Sequence, residues 1–202
     1  MSKIDANKQK KRDSLLNASF DFFMTKGLEK TSISDIIEKA GVAKGTFYLY
    51  FKDKYDIRNK LVIHKSAQLF SSAYEALQES SLDNIQDKII FIVDHIIVEL
   101  SDNKPLLSFL HKDLTWGIFR RVLDPNSPFS EEVDVGGIYK KLLEQSGVVF
   151  VEPDIMLFMI IELAGATSYS AIVDGIPCGI EELKPYLYRS IRDIIDAHIK
   201  SA

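Results

Sequence analysis

No stretch of this chain constrains its fold as much as the twenty-four residues from Thr31 to Lys54, TSISDIIEKAGVAKGTFYLYFKDK. Ser32 followed by Asp35 is a capping pair: the hydroxyl accepts from a free N–H of the first turn, and the carboxylate reaches back to the cap. The helix it opens carries Ile33, Ile36, Ile37 and Ala40 toward a small core, with Glu38 and Lys39 outside. It stops at Gly41, since glycine takes the left-handed conformation without steric cost. Val42 re-enters the core, and a second helix runs from about Lys44 to Phe51, anchored by Phe47 and Phe51 on one face. Its other faces carry Lys44, Thr46, Tyr48 and Tyr50, donors suited to phosphate oxygens and base edges. Asp53 fits the cap of the next helix, with Lys54 at its start, free to reach toward a phosphate. This is the layout of a helix-turn-helix whose second helix enters the major groove.

The spacing resembles the TetR family of transcriptional regulators. The residues that carry the resemblance are Thr31-Ser32-Ile33, Asp35-Ile36, Ala40-Gly41-Val42, Gly45-Thr46-Phe47-Tyr48, Tyr50-Phe51 and Lys54, extended upstream by Phe22, Phe23 and Gly27. It covers roughly the first quarter of the chain. The resemblance implies that Thr46, Tyr50 and Lys54 hold phosphates while Ile33, Lys44, Gly45 and Tyr48 lie closest to bases. Thr31 and Ser32 complete the candidate DNA-binding set. Two departures stand out. Ala43 replaces the serine that caps the family's recognition helix, and Lys54 is followed by Tyr55-Asp56-Ile57 in place of a Glu-rich run ending in leucine. A merely packed helical hairpin would also use Gly41 and the phenylalanines. It has no need of two tyrosines, a lysine and a threonine on one exposed surface.

The net charge of −4 conceals a division. Residues 1–60 hold 13 Lys and Arg against 8 Asp and Glu, and the remaining 142 hold 12 against 21. A head of +5 joined to a body of −9 presents to phosphates a footprint that the sum hides, and Lys8, Lys10, Lys11 and Arg12 reinforce it. The single cysteine, Cys178, leaves no disulfide within the chain and fits a reducing cytoplasm. No apolar segment of signal-peptide kind follows the charged N-terminus. The longest apolar run, Ile155 to Ile161, is seven residues, short for a bilayer, so no membrane partner is expected.

Helical periodicity dominates, with no sustained alternation of half-buried strands. The pattern predicts an all-α protein: a three-helix, helix-turn-helix DNA-binding domain over residues 1–60 and a larger helical effector-binding and dimerisation domain over 61–202. The first helix spans about Lys10 to Lys26, with Leu15, Leu16, Phe20 and Phe23 inward. A long helix from Lys54 to about Leu77 directs Ile57 and Leu61 to the first domain and Val62, Leu69, Phe70, Ala73 and Leu77 elsewhere. Further helices are expected over Ile85–Glu99, from Pro105 through Phe109, and over Thr115–Val122, Ile138–Gln145, Pro153–Asp174 and Glu182–Ile199, with a loop at 124–128. Pro185 is tolerated in the last of these only within its opening turn.

The last two helices read as an oligomer interface. The first is apolar all round and then turns to small residues, including Ala164, Gly165 and Ala166, while Leu187, Ile191 and Ile194 offer a seam. The resemblance implies that they pair across a two-fold axis as a four-helix bundle; the competing reading makes them the core of one subunit. Candidate ligand-binding residues in the body are Phe91, His95, Phe109, Trp116, Phe119, Phe158, Glu162 and Tyr169. Glu162, between Ile161 and Leu163, is costly to bury without a cationic ligand, Arg120 or His95 beside it. No HExxH, Walker loop, GxSxG or metal-spaced His/Cys set occurs, so no catalytic residue, metal or cofactor is expected. The resulting expectation is a cytoplasmic homodimeric repressor on a palindromic duplex operator, released when a small-molecule effector tilts the long fourth helix. An activator, a regulator controlled by a protein partner, and a small-molecule-binding or enzymatic helical protein are the alternatives.

Overall fold

The computed structural model describes residues 3–114, 116–124, 126 and 134–200. Its elements are α1 (Lys3–Lys30), α2 (Ile33–Ala40), α3 (Lys44–Tyr50), α4 (Lys54–Gln78), α5 (Ile85–Asp102), α6 (Lys104–Asp113), α7 (Trp116–Val122), α8 (Val135–Gln145), α9 (Pro153–Tyr169), a π-helical turn (Ser170–Asp174) and α10 (Ile180–Ala197). Among the described residues there is no strand, only one antiparallel bridge between Phe150 and Ile199. The protein is all-α. It divides into two compact units, Met1–Ile63 and His64–Ala202, and α4 belongs to the first through Ile63 and to the second from His64. Most of the segment expected as a loop at 124–128 lies outside the described residues.

In the first unit α1 begins at Lys3, seven residues ahead of the periodic pattern, because its opening turns are polar and leave no apolar stripe to read. Its regular geometry is interrupted at Gly27 (φ 79°), a backbone conformation that favours glycine. Leu15, Leu16, Phe23, Ile36, Phe47, Phe51, Ile57 and Leu61 are buried. The capping box forms: the Asp35 N–H donates to Ser32 Oγ (3.1 Å) and the Ser32 N–H to Asp35 Oδ2 (2.8 Å). Gly41 closes α2 in the left-handed region (φ 65°). Two ion pairs of 2.7 Å, Lys26–Asp35 and Lys39–Asp21, tie α2 to α1.

In the second unit a core of Ala73, Leu77, Ile85, Ile92, Ile97, Leu142, Met156, Ile160, Leu187, Ile191 and Ile195 joins α4, α5, α8, α9 and α10. Polar contacts at its edge align α5 with α10: Arg192 with Asp87, Tyr188 donating to Asp94, Lys184 with Asp94 (3.1 Å) and Gln86 donating to Asp196 (2.9 Å). Asn84, Asn103 and Asp134 cap α5, α6 and α8 through side-chain oxygens. Pro185 departs from its sequence reading. α10 starts at Ile180, so the proline lies beyond the opening turn and leaves one interior carbonyl without its helical donor.

Asp35 sets an acid limit on the first unit. The hydrogen bond from Lys26, with those from the Ser32 backbone and hydroxyl, lowers its pKa to about 2. A depressed carboxylate contributes stability above its unfolded pKa and loses it as pH falls through the folded value. Asp35→Asn is therefore expected to flatten the stability profile between about pH 4 and pH 2. Ser32→Ala is expected to cost roughly 1 kcal/mol at neutral pH. Denaturant melts at stepped pH check both.

Candidate functional site

α3 is built to be held on one side and open on the other. Phe47 is fully buried and Phe51 nearly so, their rings 5.6 Å apart. Lys60 Nζ donates to the Tyr50 carbonyl (2.8 Å) and closes the C-terminal end. The N-terminal end has no such closure, since Ala43 provides no side-chain hydrogen bond, as its identity dictates. On the open side Lys44, Gly45 and Tyr48 are exposed, with Thr46 half-buried beside them. Tyr48 is 51% exposed, held edge-on against Phe47 at 5.3 Å. A Cβ at Gly45 would meet nothing within 4 Å, and its φ is unexceptional. The fold itself has no need of glycine there, whereas a partner surface approaching the helix closely does.

The remaining candidates divide. Ser32 is exposed but spends its oxygen on the cap, and Ile33 is half-buried beside it. Thr31 is only 2% exposed and its hydroxyl donates to the Gly27 carbonyl (2.7 Å), so it braces the α1–α2 corner and is not displayed. Tyr50 OH donates to the Lys8 carbonyl (3.1 Å), tying the α3 end to α1. Lys54 is not free: Nζ donates to the carbonyls of Leu28 and Glu29 (both 3.2 Å) at the end of α1, where a cation meets the negative pole of the helix. Sequence reasoning missed Leu49, 80% exposed between two tyrosines. Its apolar side chain serves neither core nor solvent. The signal was its phase: Leu49 falls off the Phe47–Phe51 face.

The second unit contains a cavity of about 290 Å³ bordered by α4 to α9 and the π-helical turn. Of the eight ligand candidates, Phe119 and Glu162 border it. Phe91 packs beside the core, His95 Nε2 shares a hydrogen bond with Ser72 Oγ (3.1 Å), and Phe109 is buried; none of the three lines the cavity. Tyr169 stacks on His111 (3.8 Å), Phe158 is exposed, and the Trp116 side chain lies outside the described residues. Glu162 is exposed at the outer rim, with no ion pair among the described residues. The desolvation argument that singled it out does not apply. The aliphatic residues of α5, α6, α8 and α9 that make most of the wall look like ordinary core in sequence, which is why they were missed.

The seam expected on α10 is also corrected. Leu187 and Ile191 are 3% and 0% exposed and fill the subunit's own core, and Ile194 and Ala164 are half-buried against it. A single apolar stripe on an 18-residue helix serves one surface, and here the core takes it. The residues that α9 leaves exposed include Ile155, Phe158, Met159, Glu162, Gly165 and Ala166, and those of α10 include Tyr186, Arg189 and Ser190. With its π-helical extension, Pro153–Asp174 is long and apolar enough by composition to cross a membrane, beyond what the seven-residue run indicated, because small uncharged residues continue it. Only 22% of that stretch is buried within the subunit.

An exposed second helix held against a capped first helix by buried aromatics defines a helix-turn-helix DNA-binding protein. Residues 15–61 match the family described as bacterial regulatory proteins, tetR family, so the chain carries a TetR-type DNA-binding domain. It is 36% identical over 106 residues to the uncharacterized HTH-type transcriptional regulator YvdT of Bacillus subtilis, covering 52% of this chain and 48% of that protein. It is 30% identical over 86 residues, 43% of each chain, to the fatty acid metabolism regulator protein of Bacillus subtilis. The chain thus spans about half the length of these curated relatives. The fold resembles that of the transcriptional regulator FadR from Bacillus subtilis in complex with stearoyl-CoA (TM-score 0.60, 18% identity, 88% of this chain and 96% of that one). It also resembles a TetR transcriptional regulator from Rhodococcus sp. RHA1 (TM-score 0.63, 14% identity, 94% and 97%).

Gly45 gives the sharpest test of the displayed surface. Gly45→Ala is expected to leave thermal stability unchanged or raise it by up to about 1 kcal/mol, while weakening duplex binding at least tenfold. Binding equal to wild type would remove close approach at Gly45 from the interface.

Proposed function

We propose that the protein is a homodimeric repressor that binds a palindromic duplex operator through residues 1–60 and is released by a small apolar effector bound within residues 61–202. The observation that carries this reading is the small open surface of α3, where Lys44, Gly45, Tyr48 and Leu49 stand exposed above a buried Phe47. Lys44 and Thr46 are suited to phosphates and base edges, and Tyr48 and Leu49 to base edges and methyls. Lys54 contributes by fixing the α1 end and by its charge near the backbone. The basic head and acidic body favour approach of duplex by the head. Such a regulator works beside the chromosome, in the cytoplasm.

Two half-sites require two linked heads. The exposed face of α9 with Tyr186 and Ser190 of α10 suits a second copy: Gly165 and Ala166 permit close approach, and Ile155, Phe158 and Met159 supply apolar area. The apolar cavity supports an effector of low polarity, and the likeness to a fatty acid metabolism regulator agrees with that choice. The effector acts by favouring a conformation of lower operator affinity. An activator would make the same contacts, and transcription from the bound promoter after deletion of the gene distinguishes the two: it rises for a repressor.

Operators selected from a randomised duplex library test the reading. Lys44→Ala and Tyr48→Ala are expected to relax preference at single base pairs, by roughly 1–3 kcal/mol at each contacted pair. Lys44→Ala should also reduce the log–log salt slope if it neutralises a phosphate as well, by about 0.9. Even loss of affinity across the library would show that neither residue reads bases. For the dimer, Phe158→Asp and Ala166→Trp are expected to give folded monomers in sedimentation at micromolar protein, with operator affinity collapsed. Dimers that persist in both variants place the interface elsewhere.

A further inference from the structure

The cavity wall carries two polar anomalies. Ser66 on α4 and Ser168 on α9 both border it, are 8% and 4% exposed, and have Oγ atoms without a hydrogen-bond partner. A buried hydroxyl left unpaired costs free energy, and native interiors rarely keep one without a purpose. Alanine at either position would fill nearly the same space at no such cost. Water could satisfy the hydroxyls, but most of the wall is aliphatic and offers it few further partners. An occupant with a polar head and an apolar tail satisfies both at once.

The charge of that head is constrained. Among the described lining residues the ionisable side chains are His111, Tyr139 and Glu162, with no lysine or arginine. A carboxylate or phosphate head would find no lysine or arginine to pair with and would meet Glu162 at the rim. An uncharged hydroxyl head can donate to or accept from a serine hydroxyl and needs no cation. At the roughly 30 Å³ that a water-sized group occupies in a liquid, 290 Å³ holds roughly ten such groups.

We propose that Ser66 and Ser168 supply polar contacts in an effector site for an uncharged, medium-chain amphiphile bearing a hydroxyl, and that the site discriminates against fatty acid anions of the same length. The inference rests on the reading of this cavity as the effector site. It also assigns a specific handle, because Ser66 lies on the helix that continues into the first unit, three residues beyond Ile63. A ligand hydrogen-bonded there bears directly on α4.

The test uses the full chain with 1-decanol and sodium decanoate as probes at neutral pH, read by thermal shift and calorimetry. Decanol is expected to raise the Tm of wild type and to bind more tightly than decanoate. Ser66→Ala and Ser168→Ala should each weaken decanol binding about three- to tenfold, the loss of one hydrogen bond. Their unliganded Tm should equal or exceed that of wild type, which hydroxyls kept for structural reasons would not allow. Three results would each overturn the proposal: no Tm rise with decanol, tighter binding of decanoate, or both variants binding decanol as wild type does. If decanol binds as described and the selected operator complex is unchanged by it, the site stands and release by a cavity ligand is the reading that fails.

Discussion

A seven-residue helix cannot hold itself together in water, because so few hydrogen bonds do not offset the cost of nucleating it. α3 is such a helix, and its N-terminal end is uncapped. Its existence depends on the burial of Phe47 and Phe51, and its rotation is fixed by the same two rings. Once they are seated, the phase of the helix leaves Lys44, Gly45, Tyr48 and Leu49 outward. Much of the first unit serves that anchorage. The Ser32–Asp35 box and the Lys26 and Lys39 ion pairs fix α2 on α1, while Lys60, on α4, closes the far end of α3. Thr31 and Lys54, which carry the family pattern as strongly as any residue, turn out to secure the α1 end.

The first unit was legible because its signals are local. Capping pairs, a left-handed glycine and aromatics four apart act over a single turn and need no knowledge of distant partners. The helical body was legible for the same reason, apart from helix ends such as the start of α1, where a polar turn has no stripe to betray it. The body's surfaces were not. Leu187 and Ile191 have the spacing of a seam, and a stripe does not say whether it meets the core of its own subunit or that of another. Glu162 failed as a buried carboxylate because its phase on α9 is set by where Met156 and Ile160 point, and their partners lie on helices dozens of residues away. The cavity was legible only at Phe119 and Glu162, because a wall of isoleucines and leucines differs from core only in what stands opposite it.

The second unit spends some of its stability on these features. Two idle hydroxyls, a proline inside α10 and a half-exposed apolar helix are each unfavourable in an isolated subunit, and each lies on α4, α9 or α10. A sequence chosen only for a stable helical bundle would have none of them. Their concentration on the elements that border the cavity and the exposed apolar face is what separates this body from a scaffold.

The openness around Gly45 has a consequence for how such a protein changes over generations. The exposed positions of α3 touch almost nothing in their own fold, so replacing them carries little folding penalty, while the two phenylalanines that aim them stay fixed. On the proposed reading, target preference and fold are thereby written in separate residues of α3 and its C-cap, Phe51. A lineage can drift from one DNA address to another by single exposed substitutions, without passing through an unfolded ancestor.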